Sequence, residues 1–187
     1  MELTVKNELP SIKSWLCQGT FDGAMLTGFM NFYEQLRTGN DKEATIYINS
    51  HGGRVSVVNS MISIMEASGI TFCTCALGEA SSAALVLLVH GHRRYAGSRA
   101  SMLFHEVSFG PCGKIDEVKE SLADAKKVNS RLVYDFASKT KRSAAWWLEQ
   151  ANRKASKDFT FNATAALRYG VVDQLGIPKL EITRRVI

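Results

Sequence analysis

The stretch from Ile70 to Val89, ITFCTCALGEASSAALVLLV, decides the fold that this sequence predicts. Its first part, Ile70 to Leu77, is short, apolar and rich in β-forming residues, which predicts a buried strand. Gly78 to Ser82 is typical of a turn, because it contains small residues. Ala83 to Val89 is apolar throughout and suits a buried helix. The stretch is therefore a strand–turn–helix unit, with a serine at the start of the helix.

A second unit of the same kind lies upstream. Ala44 to Asn49 predicts a strand, and Ser50 to Gly53 predicts a glycine turn. From Val55 to Ala67 the apolar residues recur at helical spacing. Turns of this kind bring backbone N–H groups and a helix N-terminus to one edge of a sheet. That edge is suited to stabilising negative charge.

The rest of the chain continues the alternation of strands and helices, which favours an α/β fold. The sequence contains no internal repeat and no low-complexity tract, and no linker divides it. We therefore expect a single domain over residues 1–187. The remaining predicted elements are strands at Ile12–Cys17, Arg93–Ala96, Ser101–Phe104 and Val171–Asp173, and helices at Ile115–Ala137, Ser143–Asn152 and Ala163–Tyr169, the last closed by Gly170.

Composition excludes several classes of protein. The net charge is +5, but the basic residues are scattered and no aromatic stacking motif is interleaved with them, so we expect a solvated basic surface and no nucleic-acid partner. No apolar run approaches the roughly 20 residues that span a bilayer, so no membrane partner is expected. The N-terminus lacks the pattern of a secretory signal, which favours a cytoplasmic location.

The cysteines do not predict a metal site. Cys73 and Cys75 flank Thr74 and would point to the same face of a strand. They lack zinc-site spacing and a matching second pair. Small buried thiols are the favoured interpretation.

Several residues could carry chemistry, and local sequence leaves each one open. Ser82 could be an accessible nucleophile or a helix N-cap, since serine is a favoured cap. His105 follows a strand, where histidine is usually structural or solvated. Asp158 could be a cap or turn residue. Gly52-Gly53 permits a close backbone approach or a plain tight turn, and the pair lacks the residues of a phosphate loop.

Taken in order, the motifs resemble the Clp protease proteolytic-subunit (ClpP) family over roughly Ile12 to Leu175. The quoted stretches are INSHGG at 48–53, GEASSA at 78–83, MLFHE at 102–106 and DFTFNA at 158–163. The resemblance assigns Ser82 rather than Ser81 as nucleophile. It assigns His105 as base and Asp158, rather than Asp173, as the third member of a Ser-His-Asp triad.

The resemblance implies a crotonase-like α/β spiral of β-β-α units, in which Ile115–Ala137 is the long handle helix. It implies a serine endopeptidase that cleaves unfolded proteins or peptides inside stacked heptameric rings of one chain. The backbone N–H groups of Gly53 and Ala83 would form the oxyanion hole. This chemistry needs no metal and no organic cofactor. The apolar stripe of the long helix would face either another subunit or the subunit's own core.

The sequence also departs from the family's pattern. His51 stands where proline is usual, and Glu79 where glutamine is usual. The segment before Ile12 is shorter than in typical members, which weakens the expectation of an AAA+ unfoldase partner. Bacteriophage members used in prohead maturation are therefore one alternative. A non-catalytic ring subunit and a crotonase-type enzyme acting on acyl-coenzyme A are the others.

Overall fold

A seven-stranded, largely parallel sheet forms the centre of the molecule. The computed structural model describes residues 13–108, 110, 112–153 and 158–178. The strands are β1 (Lys13–Phe21), β2 (Glu43–Gly53), β3 (Thr71–Ser81), β4 (Arg93–Ala96), β5 (Ser101–His105), β6 (Asp158–Asn162) and β7 (Gln174–Leu175). The helices are α1 (Gly23–Thr38), α2 (Val55–Ala67), α3 (Ala83–Val89), α4 (Ile115–Ser138), α5 (Ala144–Asn152) and α6 (Ala163–Tyr169).

Strand β3 organises the sheet. The main order is β1-β2-β3-β4-β7, with all of these pairs parallel. The first half of β3 pairs with β4, and its last residues, Glu79 to Ser81, pair in parallel with β5. Strand β6 then adds antiparallel to β5. Because β3 changes partner along its length, its C-terminal end lies beside β5 and β6 rather than β4.

The α/β fold class and the long helix are confirmed. The predicted bounds of α2, α3, β4 and α6 agree with the structure. Gly170 closes α6 in the left-handed conformation, with φ of 77°. This conformation is favoured at glycine because it has no Cβ.

Three sequence predictions are wrong in detail. The predicted glycine turn from Ser50 to Gly53 is the end of β2, because β1 and β3 supply ladder partners there. The predicted turn from Gly78 to Ser82 is strand as far as Ser81, because β5 supplies a ladder partner that local sequence does not reveal. Val171–Asp173 is not a strand, since Val171 N–H and Val172 N–H both donate to the Ala166 carbonyl and close α6. The exit strand begins later, at Gln174. Ile12, the predicted start of the first strand, lies outside the described residues.

Helix α1 was not predicted from the sequence, although its signals are present. The Asp22 carboxylate accepts a hydrogen bond of 3.0 Å from Met25 N–H and so caps the helix. Its buried residues are Met25, Phe29, Phe32 and Leu36, which recur at helical spacing. They pack into one continuous core that extends along the chain from Cys17 to Val172. Among the described residues, no helix is both long and apolar enough to cross a membrane.

Candidate active site

Ser82 has an unusual backbone conformation at the junction of β3 and α3. Its φ is 55° and its ψ is −123°, and among the described residues Asn40 is the other non-glycine with positive φ. Such a conformation costs about 1–3 kcal/mol and is concentrated at functional sites. Ser82 occupies the N-cap position, but its side chain makes no capping hydrogen bond. The N-cap interpretation therefore describes its position but not the use of its hydroxyl.

The neighbouring serine is engaged elsewhere. The buried Ser81 hydroxyl donates a hydrogen bond of 2.8 Å to the Glu79 carboxylate. Ser82 N–H donates to the Leu103 carbonyl of β5 at 2.9 Å. This bond ties the Ser82 backbone to the strand that ends in His105. The two serines therefore differ in the availability of their hydroxyls, and Ser82 has the free one.

His105 and Asp158 face each other across the β5–β6 ladder. They are direct partners in the antiparallel register. The Cβ atoms of such partners are about 4.5–5.5 Å apart, and their side chains lie on the same face of the sheet. Both residues are half-buried. The pairing thus brings an acidic side chain next to the histidine over a large separation in sequence.

One cavity of about 120 Å³ collects most of the predicted site. Gly53, Ser82, Ala83 and His105 all line it, whereas Asp158 is not among its lining residues. The remaining walls are mainly apolar and come from α2, α3, β5 and α4. These apolar residues are Val55, Val58, Leu85, Val86, Phe104, Val107, Leu132, Val133 and Phe136.

The candidate triad is assembled but not hydrogen-bonded in the single chain. Within the described residues, no hydrogen bond joins the Ser82 hydroxyl to the His105 ring, or that ring to Asp158. Catalytic hydrogen bonds are often long without substrate and shorten when substrate binds. The arrangement brings the three residues to one end of the sheet.

The glycine turn packs directly against the Ser82 junction. Gly52 has φ of 100°, and a Cβ built there would lie 2.7 Å from the Ser81 carbonyl oxygen and 2.8 Å from Ser82 Cβ. Gly53 has φ of 149°, and its Cβ would lie 2.7 Å from Phe21 N. Both positions therefore require glycine for space as well as for conformation. This close approach puts the Gly53 backbone on the same cavity as Ala83.

Sequence reasoning missed two polar residues of the cavity, Asn129 of α4 and Glu106 after β5. The Asn129 carboxamide oxygen accepts from Val107 N–H at 2.9 Å, and its Nδ2 donates to the Glu106 carboxylate at 3.0 Å. The signal in the sequence was an amide at helical spacing from Leu132 and Val133 on an otherwise apolar face.

The adjacent tryptophans belong to an aromatic core cluster. Trp147 is fully buried and packs against Phe104, with ring centroids 5.1 Å apart, and against Phe136 at 4.9 Å. Neither Trp146 nor Trp147 lines the cavity. Trp147 is therefore a core residue rather than part of the cavity wall. Because Phe104 directly precedes His105, this packing also fixes the end of β5.

Cys17, Cys73 and Cys75 are buried thiols, as the sequence predicted for Cys73 and Cys75, whereas Cys112 is exposed. Burial raises the pKa of Cys75 to about 12, and it raises the pKa of Cys17 to the same value. Neither thiol is ionised near neutral pH, so neither is a nucleophile there. Among the described residues, no three His, Cys, Asp or Glu side chains converge as a metal site would require.

The fold and site define an α/β protein with a strained serine at a strand–helix junction and a histidine facing an aspartate. Comparison with known proteins agrees with that class. The family model described as Clp protease matches residues 29–178. The chain therefore belongs to the Clp protease family.

Individual relatives are distant. An ATP-dependent Clp protease proteolytic subunit 2 from Leifsonia xyli is 31% identical over 137 residues, which cover 72% of this chain and 60% of the relative. A proteolytic subunit 1 from Rhodopirellula baltica is 28% identical over 144 residues, covering 75% and 62%. A proteolytic subunit 4 from Rhodococcus jostii is 29% identical over 138 residues, covering 73% and 69%. The matches thus span about three fifths of the first two relatives' length.

Proposed function

We propose that this chain is a serine endopeptidase that hydrolyses peptide bonds with Ser82 as nucleophile, His105 as general base and Asp158 as the group that orients the base. The observation that carries the proposal is the positive φ of Ser82, with its hydroxyl unused for capping, on a cavity shared with His105. A strained serine on a sharp strand-to-helix turn is a recurrent way to expose a nucleophile.

The proposed mechanism follows triad chemistry. His105 takes the proton from the Ser82 hydroxyl as that oxygen attacks the peptide carbonyl, and gives it to the leaving amine as the peptide bond breaks and an ester forms on Ser82. His105 then takes a proton from the water that attacks this ester, and returns it to the Ser82 oxygen as the acid product leaves. Asp158 holds the productive tautomer and stabilises the imidazolium. The N–H groups of Gly53 and Ala83 stabilise the oxyanion, and one such donor is typically worth about 3 kcal/mol. Each of these steps uses side chains and backbone of the chain, with no cofactor.

The substrate is proposed to be an extended polypeptide with an apolar side chain next to the scissile bond. The cavity beside Ser82 supports this, because its walls from α2, α3 and α4 are almost entirely apolar. Burial of an apolar side chain there is favourable by about 1.5–3 kcal/mol. Such a pocket would discriminate against charged side chains, since burying an unpaired charge is costly.

We further propose a single peptidase domain that assembles into a ring-shaped homo-oligomer. The continuous core from Cys17 to Val172 supports the single domain. Support for assembly comes from α4, where Ile115, Leu122 and Val128 of the apolar stripe are exposed in the single chain. The relatives are named as proteolytic subunits of ATP-dependent proteases, which supports a role as the peptidase component of a larger assembly.

A fluorophosphonate probe tests the proposal, because it labels only serines activated by a base. We expect the wild type to label and Ser82→Ala to lose all labelling. Ser81→Ala is the matched control, since Ser81 is the adjacent hydroxyl but is bonded to Glu79. It should label at close to the wild-type rate, because the Ser81 hydroxyl is bonded to Glu79 and takes no part in the proposed reaction. The lost hydrogen bond should lower stability by about 1 kcal/mol.

The oligomer mass is recorded on the same samples, so that the alternatives are separated. A large oligomer that never labels would support the non-catalytic ring subunit. Hydrolysis of an acyl-thioester but not of a fluorogenic peptide would support the acyl-coenzyme A alternative. Undiminished labelling of Ser82→Ala would refute the assignment of the nucleophile.

A further inference from the structure

Within the part of the chain that the structure describes, the backbone that follows His105 has no ladder partner. Strand β5 ends at His105, and residues 106–108 lie outside any regular element. Half-buried N–H groups in such a segment need an acceptor from elsewhere. Asn129, on α4, supplies one to Val107 at 2.9 Å. Its position on the cavity wall brings this contact to the same space as Ser82 and His105.

The groups that Asn129 contacts determine the orientation of its carboxamide. The Val107 N–H can only donate, so it must meet the Asn129 carboxamide oxygen. The ionised Glu106 carboxylate can only accept, so it must meet Asn129 Nδ2, at 3.0 Å. Both bonds of the one amide therefore hold consecutive residues directly after His105. An aspartate at position 129 could satisfy Val107 but would face Glu106 with a second negative charge.

We propose that Asn129 is a positioning residue for the reaction, which holds the chain after His105 through Glu106 and Val107 and thereby keeps the imidazole aimed at Ser82. The inference rests on the proposed function. On the other side, Phe104 is fixed by the aromatic cluster around Trp147. His105 is thus held between a packed residue before it and a hydrogen-bonded pair after it. Loss of the Asn129 hydrogen bonds would leave the His105 ring free to move relative to Ser82.

The test is a double-mutant cycle at positions 129 and 106. The rate of fluorophosphonate labelling and the kcat and KM for a peptide are measured for each variant. Asn129→Asp is expected to lower the labelling rate and kcat about tenfold with little change in KM, because a misplaced base costs rate rather than binding. Adding Glu106→Gln supplies a donor to the new carboxylate. We expect the double variant to recover to within about threefold of the wild type.

Asn152→Asp is the control, because it makes the same amide-to-acid change on an exposed position of α5 away from the cavity. It should label at the wild-type rate. Oligomer mass and thermal midpoint are measured for every variant. If Asn129→Asp does not fold, Asn129→Ala is compared with the wild type alone, without the double variant, because alanine offers Glu106→Gln no acceptor. Labelling of the Asn129 variant at the wild-type rate, or a double variant as slow as the single one, would overturn the proposal.

Amide hydrogen exchange separates this proposal from the proposed function. Exchange of the peptide that contains Val107 does not require catalysis. We expect protection there in the wild type and loss of that protection in Asn129→Ala, with no change in the peptides of β1 and β2. If the wild type fails to label but this pattern is found, the peptidase assignment fails while the Asn129 contact stands. Equal exchange in both proteins would refute the contact itself.

Discussion

Gly52 shows how closely single residues are fitted around Ser82. A Cβ at this position would lie 2.7 Å from the Ser81 carbonyl oxygen and 3.0 Å from Ala83 N, and both are backbone atoms that cannot rotate away. The residue that follows, Gly53, is the proposed oxyanion donor. The shape of the site is therefore set by the absence of side chains as much as by the triad candidates.

Gly52→Ala is expected to abolish fluorophosphonate labelling, because the added methyl group displaces the Ser82 junction. Gly69→Ala is the matched control, since Gly69 also has positive φ, 69°, but open space around its Cβ position. Both variants incur a conformational cost of about 1 kcal/mol. Labelling rates and urea unfolding would be measured for both. Normal labelling of Gly52→Ala would show that Gly52 does not shape the site.

At the scale of the elements, the segment before β7 is attached to β4 by an Asp173–Arg94 ion pair and by a backbone hydrogen bond of 2.8 Å from Asp173 N–H to the Arg94 carbonyl. Asp173 accepts from Arg94 N–H at 2.9 Å and from Arg94 Nε at 3.1 Å. Partial burial opposes ionisation of Asp173, but hydrogen bonds from the Arg94 side chain and backbone, with the nearby charges of Arg94 and Lys141, outweigh it and hold its pKa below the ordinary value. This carboxylate therefore has a structural role, in keeping with the choice of Asp158 for the triad.

Asp173→Asn should lower the free energy of unfolding by about 1 kcal/mol near neutral pH, since the pair is partly screened by solvent. A folded-state pKa below the unfolded one stabilises the protein above the unfolded pKa, about 3.9, and this stabilisation is lost as pH falls through the folded value. The difference between wild type and variant should therefore be constant near neutral pH and shrink in acid. Urea unfolding at about pH 7 and about pH 3.5 measures it.

Asp124→Asn provides the comparison, because its ion pair with Lys127 is largely exposed. It should change the free energy of unfolding by less than about 0.5 kcal/mol. A difference between wild type and Asp173→Asn that grows in acid would contradict the direction assigned to the Asp173 pKa.

For the whole molecule, α4 raises the question of assembly. Val133 and Phe136, near its C-terminal end, are its buried residues. Leu122 and Val128 are 38% and 41% exposed, although the sequence places them on one apolar stripe. The subunit's own core therefore covers the C-terminal end of that stripe, at Phe136, but leaves Leu122 and Val128 partly exposed. The handle role that the family resemblance implies would bury it against another copy.

Combined Leu122→Asp and Val128→Asp should reduce the oligomer to a smaller species, because charges cannot be buried in an apolar interface without partners. Tyr134→Asp, on another face of the same helix and 70% exposed, should leave the mass unchanged. Sedimentation velocity measures both. An unchanged mass in the double variant, or dissociation of Tyr134→Asp, would contradict assembly through the stripe.

Local patterns predicted many elements because their signals lie within a few residues of each other. Local signals of this kind predicted α3 from its apolar run, α2 from its apolar spacing and the end of α6 from Gly170. Helix α1 carried equally local signals, a capping Asp22 and a periodic apolar face, but was overlooked. The end of β3 could not be predicted locally, because the strand there depends on pairing with β5 and, at Ala80, with β2.

The sequence by itself determined the α/β class, the family resemblance and the choice of Ser82, His105 and Asp158 as candidates, because these depend on short motifs and their order. Only the tertiary structure decided that Ser82 is strained with an unused hydroxyl, that His105 faces Asp158 across a ladder, and that Asn129 joins the segment after His105. Those facts depend on contacts between distant parts of the chain, and the energies of such contacts leave no local pattern in the residues that make them.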